Sequence, residues 1–370
     1  MNAVATLAAT DCGTLKYKVT PEPSALSPDE PLPRPPWWLR ALCALPLGVL
    51  YGVCRLLVFI VRYGLRYRVR VARENLRACF PDWSEQRVRE VLNEHYRLQG
   101  QVLAEALKLG SYTGADLAGR MQFSGFEPIR EQLRTGQPVL VLTGHLGNWE
   151  WLLQRAVGEL GVPVYGAYKP PHSAAADRAV RWLRERLGVH LVAGKRLLRT
   201  LARQRGRAHI VGIVADQAPT SSGGRVWLNF LGRDTAFFPG PAEIARVCKY
   251  ATFFVGVRRL ARGRYCTRVA PIAAAGEAIG TLEFTARYAA QMELEIRAAP
   301  ANWAWTHRRW KLVHGAAEAQ SAPKPPPGQK RTRALPSGPK SASADWPAAT
   351  RCSPLQLPVV TICPASSASP

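Results

Sequence analysis

A histidine and a glutamate five positions apart carry the clearest chemical signal in this sequence. The apolar run Val139–Thr143 predicts a buried strand, and the pattern that begins at Trp149 predicts a helix with Asn148 as its N-cap. One tight turn between them would bring the imidazole of His145 next to the carboxylate of Glu150. The carboxylate would then fix the ring tautomer, so that the other ring nitrogen accepts a proton. Such a pair is suited to activating a hydroxyl group for acyl transfer.

The spacing alone does not establish catalysis, because most histidines of globular proteins are hydrogen-bonded structural groups. The position at a strand end favours the catalytic interpretation, since open α/β sheets bind ligands at the carboxyl ends of their strands. Gly144 and Gly147 would also let a substrate approach the backbone closely. A zinc site is disfavoured, because the sequence has no His-Glu-x-x-His motif and its eight cysteines form no Cys-x-x-Cys pair. We therefore predict no metal.

Strands and helices alternate after residue 122, which predicts an α/β fold: a mixed, mostly parallel sheet flanked by helices. The predicted strands are 139–143, 163–168, 189–192, 208–215, 251–257 and 264–269, and the predicted helices after the one at Trp149 are 177–187, 197–205 and 241–250. Before them, residues 70–109 predict two helices separated at Pro81, the second capped by Ser84.

The chain is strongly basic, with 50 lysines and arginines against 26 acidic residues and a formal net charge of +24. Such an excess predicts an anionic partner, which could be nucleic acid, an anionic lipid surface or an acidic protein. Arginine-rich solvated surfaces would explain part of the same excess. The eight cysteines are scattered without a framework, which favours a reducing compartment for the main domain.

An apolar segment from Trp37 to Val61 is long enough to cross a bilayer. Arg55 and Pro46 make it a marginal span, and the alternatives are a helix in the membrane plane or half of a hydrophobic hairpin. Six arginines follow it closely, so the positive-inside bias predicts a cytoplasmic main domain: Arg62, Arg66, Arg68, Arg70, Arg73 and Arg77. We divide the chain into four parts: a disordered N-terminal extension (1–36), a membrane anchor helix (37–62), an α/β domain (63–314) and a disordered low-complexity tail (315–370).

Several separated blocks make the chain resemble the lipid A biosynthesis acyltransferases, a family of lauroyl and myristoyl transferases. In family order, these blocks are Arg73–Leu76 with Cys79–Pro81, Gly144–Glu150, Ala215–Gln217, Asn229–Arg233 with Pro239–Ala242, and Trp303–Lys311. The resemblance covers roughly residues 37–312 and implies a fold like that of glycerolipid acyltransferases. It further implies an inner-membrane enzyme with its catalytic domain on the cytoplasmic face, and the length of the apolar segment predicts that this enzyme is single-pass. That enzyme would transfer a fatty acyl chain from acyl carrier protein to a hydroxyl of a Kdo-lipid A precursor. No cofactor is predicted, and the acyl donor would be the thioester of the carrier protein.

By the same resemblance, His145 is the general base and Glu150 is its orienting carboxylate. We assign substrate binding to six further residues: Asn148, Lys169, Asp216, Arg233, Arg308 and Arg309. Lys169 stands where the family usually has an arginine, so a cation is kept but a bidentate fork is lost.

Each of the other assignments has a structural alternative. Asp216 either orients cationic groups at the site or caps a backbone segment. Arg308 and Arg309 either bind lipid phosphates or are cations favoured at the end of a helix. Arg233 either contacts a phosphate or pairs with a nearby acid.

The expected partners are acyl carrier protein, an anionic phosphorylated glycolipid and the membrane, and nucleic acid is not expected. One rival function is a related acyltransferase that acts on another glycolipid or on an amino-acid lipid. The other is a membrane-tethered basic binding protein without catalysis, which would lack a fatty-acid-sized apolar groove beside His145.

Overall fold

The computed structural model describes residues 34–219 and 224–313. The predicted terminal extensions, 1–36 and 315–370, lie outside the described residues apart from 34–36.

Two helices occupy the apolar N-terminal segment, and several more surround a central sheet. The α-helices of the described residues are α1 Trp37–Ala44, α2 Leu47–Phe59, α3 Val69–Cys79, α4 Glu85–Lys108, α5 Gly114–Ala118, α6 Glu127–Arg134, α7 Trp149–Leu160, α8 Ala174–Glu185, α9 Leu197–Ala202, α10 Gly240–Cys248 and α11 Thr281–Ala298. A π-helical turn, Ile60–Gly64, extends α2, and short 3₁₀ turns lie at Gly194–Arg196 and Pro300–Asn302.

The strands form one large sheet and one hairpin. They are β1 Met121–Gln122, β2 Val139–Thr143, β3 Val164–Tyr168, β4 Val189–Ala193, β5 Ile210–Val214, β6 Val226–Phe230, β7 Arg233–Phe237, β8 Ala251–Ala261 and β9 Arg264–Ala273. The large sheet has the order β1-β9-β8-β2-β5-β3-β4, and β6 pairs with β7 as a separate antiparallel hairpin. Within the large sheet only β8 and β9 run antiparallel, and every other neighbouring pair is parallel. The predicted fold class, a mostly parallel mixed sheet flanked by helices, is therefore confirmed.

Strand β2 lies at the centre of this sheet, between β5 and β8. All five of its residues are buried, as expected for a strand whose two faces are both covered by helices. This explains why its sequence is a continuous apolar run rather than an alternating one. The carboxyl end of β2 therefore opens at the middle of the sheet edge where parallel α/β folds bind ligands.

The predicted pair of helices before the sheet is confirmed as α3 and α4. The Ser84 side chain accepts a hydrogen bond from the backbone nitrogen of Arg87 at 3.2 Å, so Ser84 is the N-cap of α4 as predicted. The apolar segment before them differs from the single helix predicted over 37–62. It is broken between α1 and α2 at Leu45–Pro46, because proline has no backbone N–H to continue a helix.

Helix α11 and the hairpin of β6 and β7 are additional to the predicted elements. The apolar residues Phe284, Tyr288, Met292 and Ile296 of α11 recur every four positions and are all buried, so the helical signal was present in the sequence. One charged residue of α11, Glu295, is also buried. Its carboxylate binds Arg258 through two hydrogen bonds of 2.8 and 2.9 Å and also accepts one from Arg268, so α11 is tied to both β8 and β9.

We predict that Glu295→Ala lowers the free energy of unfolding by about 2–4 kcal/mol, because it leaves two partly buried guanidinium groups without their carboxylate. The matched control is Glu283→Ala on the same helix, since the side chains of Glu283 and its partner Arg287 are 61% and 40% exposed. That loss should be below about 1 kcal/mol. Thermal and denaturant unfolding of the purified proteins measures both values, and equal losses would contradict the role given to Glu295.

Candidate active site

The turn that joins β2 to α7 is shaped by two glycines. A Cβ atom on Gly144 would lie 2.4 Å from Met292 Cε and 3.3 Å from Asp216 Oδ2, so a larger residue would force the Met292 side chain to move and would crowd Asp216. Gly147 has a φ of +51°, in the left-handed region that favours glycine. The side chain of Asn148 then accepts a hydrogen bond from the backbone nitrogen of Trp151 at 3.1 Å. The predicted strand, turn and helix cap are therefore confirmed.

His145 lies on this turn and is held by one buried carboxylate. Its Nδ1 atom is 2.7 Å from Asp216 Oδ1, and its backbone nitrogen donates to Asp216 Oδ2 at 3.0 Å. The indole nitrogen of Trp303 donates to the same Oδ2 atom at 2.8 Å. The side chain of Asp216 is 4% exposed, whereas that of His145 is 22% exposed, so the carboxylate is closed off and the imidazole reaches the surface.

The orienting contact predicted for Glu150 is wrong, because the carboxylate on the Nδ1 atom belongs to Asp216. Glu150 instead forms a bidentate ion pair with Arg184 of α8, in which Arg184 Nε lies 2.7 Å from Glu150 Oε2. The guanidinium of Arg184 lies over the ring of Trp149, which in turn contacts the His145 ring edge-on at a centroid distance of 5.0 Å. Glu150 therefore fixes an arginine close to the histidine.

The hydrogen bonds of His145 determine its tautomer. Asp216, as an acceptor, places a proton on Nδ1, so that Nε2 is the basic nitrogen of the neutral ring. The amide nitrogen of Gln217 lies 3.3 Å from Nε2, and Gln217 is exposed. An incoming hydroxyl can therefore replace this amide at Nε2.

The electrostatics of the pair are those of an oriented base. Burial lowers the pKa of His145, but the charge and hydrogen bond of Asp216 outweigh burial and raise it above the usual 6.5. Burial by itself would raise the pKa of Asp216, yet the positive charge of His145 and the hydrogen bonds from His145 and Trp303 hold it well below its usual range. Asp216 therefore stays ionised next to the ring.

The chain segment around Trp303 closes one side of the site. It forms a bridge with Leu146, and the backbone nitrogen of Gly147 donates to the carbonyl of Asn302 at 3.2 Å. Asn75 of α3 holds the next turn, since its amide donates to the carbonyls of Trp305 and His307 at 3.0 and 3.1 Å. Two of the blocks that carry the resemblance thus meet at the catalytic turn.

Asn148 lies where it cannot bind a substrate, contrary to its predicted role. It is fully buried, and its amide nitrogen donates to Glu105 Oε2 at 2.7 Å while its oxygen caps α7. Glu105 also accepts hydrogen bonds from the hydroxyls of Tyr51 and Tyr265, at 2.7 and 2.6 Å. Burial raises the pKa of Glu105 in spite of these three donors. Asn148 therefore joins the catalytic turn to a buried polar cluster that reaches α2.

The four predicted cationic ligands fall into different environments. Lys169 is exposed and follows β3, on the sheet edge where β2 also ends. Arg308 is exposed, and the guanidinium of the half-buried Arg233 lies 4.3 Å from the centre of the Trp310 ring. Arg309 is only 2% exposed and donates to the carbonyl of Ala236 at 2.6 Å, so its burial argues against the predicted binding of a surface phosphate.

An apolar cavity lies between α7 and the sheet, beside the catalytic turn. Its lining includes Thr143 and Trp149, which flank the turn, and continues along the helix through Leu153 and Ala156 to Leu160. The cavity is a small slot, with room for about one water molecule. The Thr143 hydroxyl is buried and has no hydrogen-bond partner among the described residues. The lining is almost entirely apolar.

Comparison with known proteins identifies the family of this chain. A model of the family described as bacterial lipid A biosynthesis acyltransferase matches residues 37–312. The chain belongs to this family. A lipid A biosynthesis acyltransferase of Haemophilus influenzae is 22% identical over 181 residues, which cover 48% of this chain and 55% of that protein. A lipid A biosynthesis palmitoleoyltransferase of Escherichia coli is 24% identical over 275 residues, or 72% of this chain and 86% of that protein.

The matched range contains every residue of the turn that carries His145 and also Asp216 and Trp303. The predicted family is therefore confirmed. Among the described residues, no group of three or more histidine, cysteine, aspartate or glutamate side chains is arranged to hold a metal ion. The contacts of Trp303 and Gln217 with the catalytic pair were not predicted, because both residues are far from His145 in sequence.

We predict that His145→Ala and Asp216→Asn each reduce kcat/KM by roughly 10²–10⁴-fold, since one removes the base and the other its orienting anion. Glu150→Gln should cost less than about tenfold, because it leaves the bond between Asp216 and His145 in place. Circular dichroism and thermal unfolding serve as folding controls. A Glu150→Gln enzyme as inactive as His145→Ala, together with a nearly normal Asp216→Asn enzyme, would contradict this assignment.

The pH profile tests the same pair. Because Asp216 raises the pKa of His145, the acid limb of kcat/KM should have its midpoint above 6.5, and activity should fall as pH decreases through it. In Asp216→Asn the imidazolium loses its anionic partner, so the midpoint of the residual activity should move to lower pH. An unchanged midpoint would show that His145 does not titrate against Asp216.

Proposed function

We propose that this protein transfers a fatty acyl chain from acyl carrier protein to a hydroxyl group of a Kdo-lipid A precursor, at the cytoplasmic face of the inner membrane. The observation that carries the proposal is the imidazole of His145, whose Nδ1 atom is fixed by Asp216 at 2.7 Å and whose Nε2 atom faces an exposed, replaceable amide. Membership of the lipid A biosynthesis acyltransferase family supports the same class of reaction.

The proposed reaction balances around Nε2. This nitrogen takes the proton of the acceptor hydroxyl while the oxygen attacks the thioester carbonyl carbon, which forms a tetrahedral oxyanion. The intermediate collapses as the carbon–sulfur bond breaks, and the departing thiolate takes the proton back from the imidazolium. Asp216 stabilises the imidazolium in between, and it stays ionised because burial is offset by its three hydrogen bonds. The products are an ester and the free thiol of the carrier protein.

We place the acyl chain along the apolar slot beside α7, and side chains must move to enlarge this slot. Thr143 and Trp149 line one end of the slot, and Leu160 lies about three helical turns further along. An acyl chain in the slot would displace the side chain of Leu153, which lies against Gly212 of β5.

The exposed cations support anionic substrates. Lys169 lies on the same sheet edge as His145, two strands away, or about 10 Å at the usual strand spacing. Arg308 follows the segment that closes the site, and guanidinium groups suit the phosphates of a lipid A precursor. The net charge of +24 would also favour an acidic carrier protein.

The proposal predicts that the purified protein consumes acyl carrier protein thioesters and forms an acylated lipid A precursor, with one thiol released per ester. Mass spectrometry of the lipid and a thiol assay measure the two products, and His145→Ala is the control. Hydrolysis of the thioester without acylation of the lipid, or transfer only to a different acceptor lipid, would overturn the proposed acceptor.

If the acyl chain binds in the slot, a larger side chain there should change the preference of the enzyme for acyl-chain length. Ala156→Leu places a larger side chain midway along α7, so the enzyme should shift its preference toward donors shorter by at least about two carbons. Competition between donors of different lengths, read by mass spectrometry, gives the preference. As a matched control, Ala202→Leu adds the same bulk at an exposed position of α9 and should leave the preference unchanged. An unaltered preference in Ala156→Leu would show that the acyl chain binds elsewhere.

A further inference from the structure

Helix α2 and its π-helical extension expose a continuous apolar side. Val49, Val53, Leu56 and Ile60 are 48–62% exposed and recur at helical spacing, so they lie on one side of the helix. The stretch Leu47–Gly64 is, among the described residues, the one helical segment long and apolar enough to cross a membrane. Length and composition therefore allow a helix that crosses the membrane. The contacts of α2 with the rest of the protein show whether such a crossing is compatible with the fold.

The opposite side of α2 is packed against α4 of the catalytic domain. Leu50 and Cys54 are buried together with Ala104, and the Tyr51 hydroxyl donates to Glu105 at 2.7 Å. Further along, Val58 lies against Gly100, where a Cβ atom would come within 3.1 Å of it. These small residues of α4 let the two helices approach closely.

The contact continues to the end of the apolar segment, where the guanidinium of Arg62 donates to the side chain of Asn93. From Tyr51 to Arg62 the two helices therefore stay together for about 16 Å. Over this length α4 carries exposed polar groups, among them Asn93 and the ion pair of Glu94 with Arg97. If α2 crossed a bilayer, it would carry these groups into the hydrocarbon layer with it, at a high cost in free energy.

The charges around α1 and α2 match an anionic surface. Between residues 34 and 73 the sequence has eight arginines and no acidic residue. Arg55 lies about 130° around the helix from the centre of the exposed apolar side, beyond the edge of that side. An open cavity beside α1 is lined by Arg34, Arg40, Arg186 and the ring of Trp182, a set of guanidinium groups suited to phosphate.

We propose that α1 and α2 lie in the plane of the membrane surface and do not cross it, with the exposed side of α2 immersed in a bilayer that contains anionic phospholipids. The flanking arginines contact the lipid phosphates, and α4 keeps the catalytic domain against the inner side of α2. This replaces the single-pass helix expected from length alone. The inference rests on the proposed membrane location but not on catalysis, so it can be tested without an acyl donor.

The side of the membrane on which the N-terminus lies distinguishes a helix in the membrane plane from a single-pass helix. Short epitope tags are added to both ends of the full chain, which is expressed in a Gram-negative host, and spheroplasts are treated with proteinase K before and after lysis. A helix in the membrane plane leaves both tags on the cytoplasmic side, so both are protected until lysis. A single-pass helix puts the N-terminal tag outside, and its digestion in intact spheroplasts would overturn the proposal.

Flotation of the purified protein with lipid vesicles tests the apolar side. Leu56→Glu with Ile60→Glu should reduce the partition onto phosphatidylglycerol–phosphatidylethanolamine vesicles at least tenfold. The matched control is Leu282→Glu with Leu294→Glu on α11, where the two leucines are 60% and 56% exposed. The control pair should bind as the unaltered protein does, and equal losses in both pairs would overturn the assignment of the membrane surface to α2.

Two triple variants test whether the arginines around α1 and α2 bind anionic lipid. Replacing Arg40, Arg55 and Arg66 by glutamine should lower binding to the anionic vesicles at least fivefold and leave the weaker binding to phosphatidylcholine vesicles unchanged. The control removes the same charge from Arg203, Arg205 and Arg246, which are exposed elsewhere on the domain. If both triple variants lose binding equally, net charge rather than this surface attracts the protein. Normal vesicle binding without acyl transfer would refute the proposed function and leave this inference intact.

Discussion

The carboxylate of Asp216 is the interaction on which the candidate site depends. It is buried at the end of β5, and a buried carboxylate is stable only when its lone pairs are satisfied. Its three hydrogen bonds come from the ring of His145, from the backbone of the same residue and from Trp303. The same bonds therefore satisfy the buried charge, orient the base and attach the C-terminal segment to the catalytic turn. Gly144 leaves space for the same carboxylate, since a side chain there would crowd Asp216 and displace Met292.

Local features of this architecture were predictable from the sequence, whereas the partners in the site were not. The strand Val139–Thr143, the turn after it and the caps Ser84 and Asn148 each depend on a few neighbouring residues, and all were found as predicted. The orienting carboxylate depends instead on the pairing of β2 with β5, which brings together residues 71 positions apart. Glu150 was the nearest acid in sequence. It belongs to the first turn of α7, however, and its side chain meets Arg184 of α8 while the ring of Trp149 faces His145.

Burial also separates residues that look equivalent in sequence. Arg308 and Arg309 are adjacent cations, and either could have been a phosphate ligand. In the structure Arg308 is exposed, whereas Arg309 lies over the Phe237 ring in the interior, where burial lowers its pKa to about 10. Neighbouring positions in an irregular segment point in different directions, and no periodic pattern in the sequence reports which one faces solvent. The helical signal of α11, by contrast, was readable because four apolar residues recur at a constant interval.

The buried cluster around Glu105 connects helix α2 to the turn that carries His145. One oxygen of Glu105 accepts the Tyr51 hydroxyl of α2, and the other accepts the amide of Asn148, the cap of the helix that follows His145. Any tilt of α2 relative to α4 would break a hydrogen bond to a buried carboxylate, which is costly because the charge cannot find water instead. The position of α2 is therefore coupled to the position of the catalytic turn. A helix held in this way is not a loose tether, because its contacts with α4 and Glu105 fix its position relative to His145.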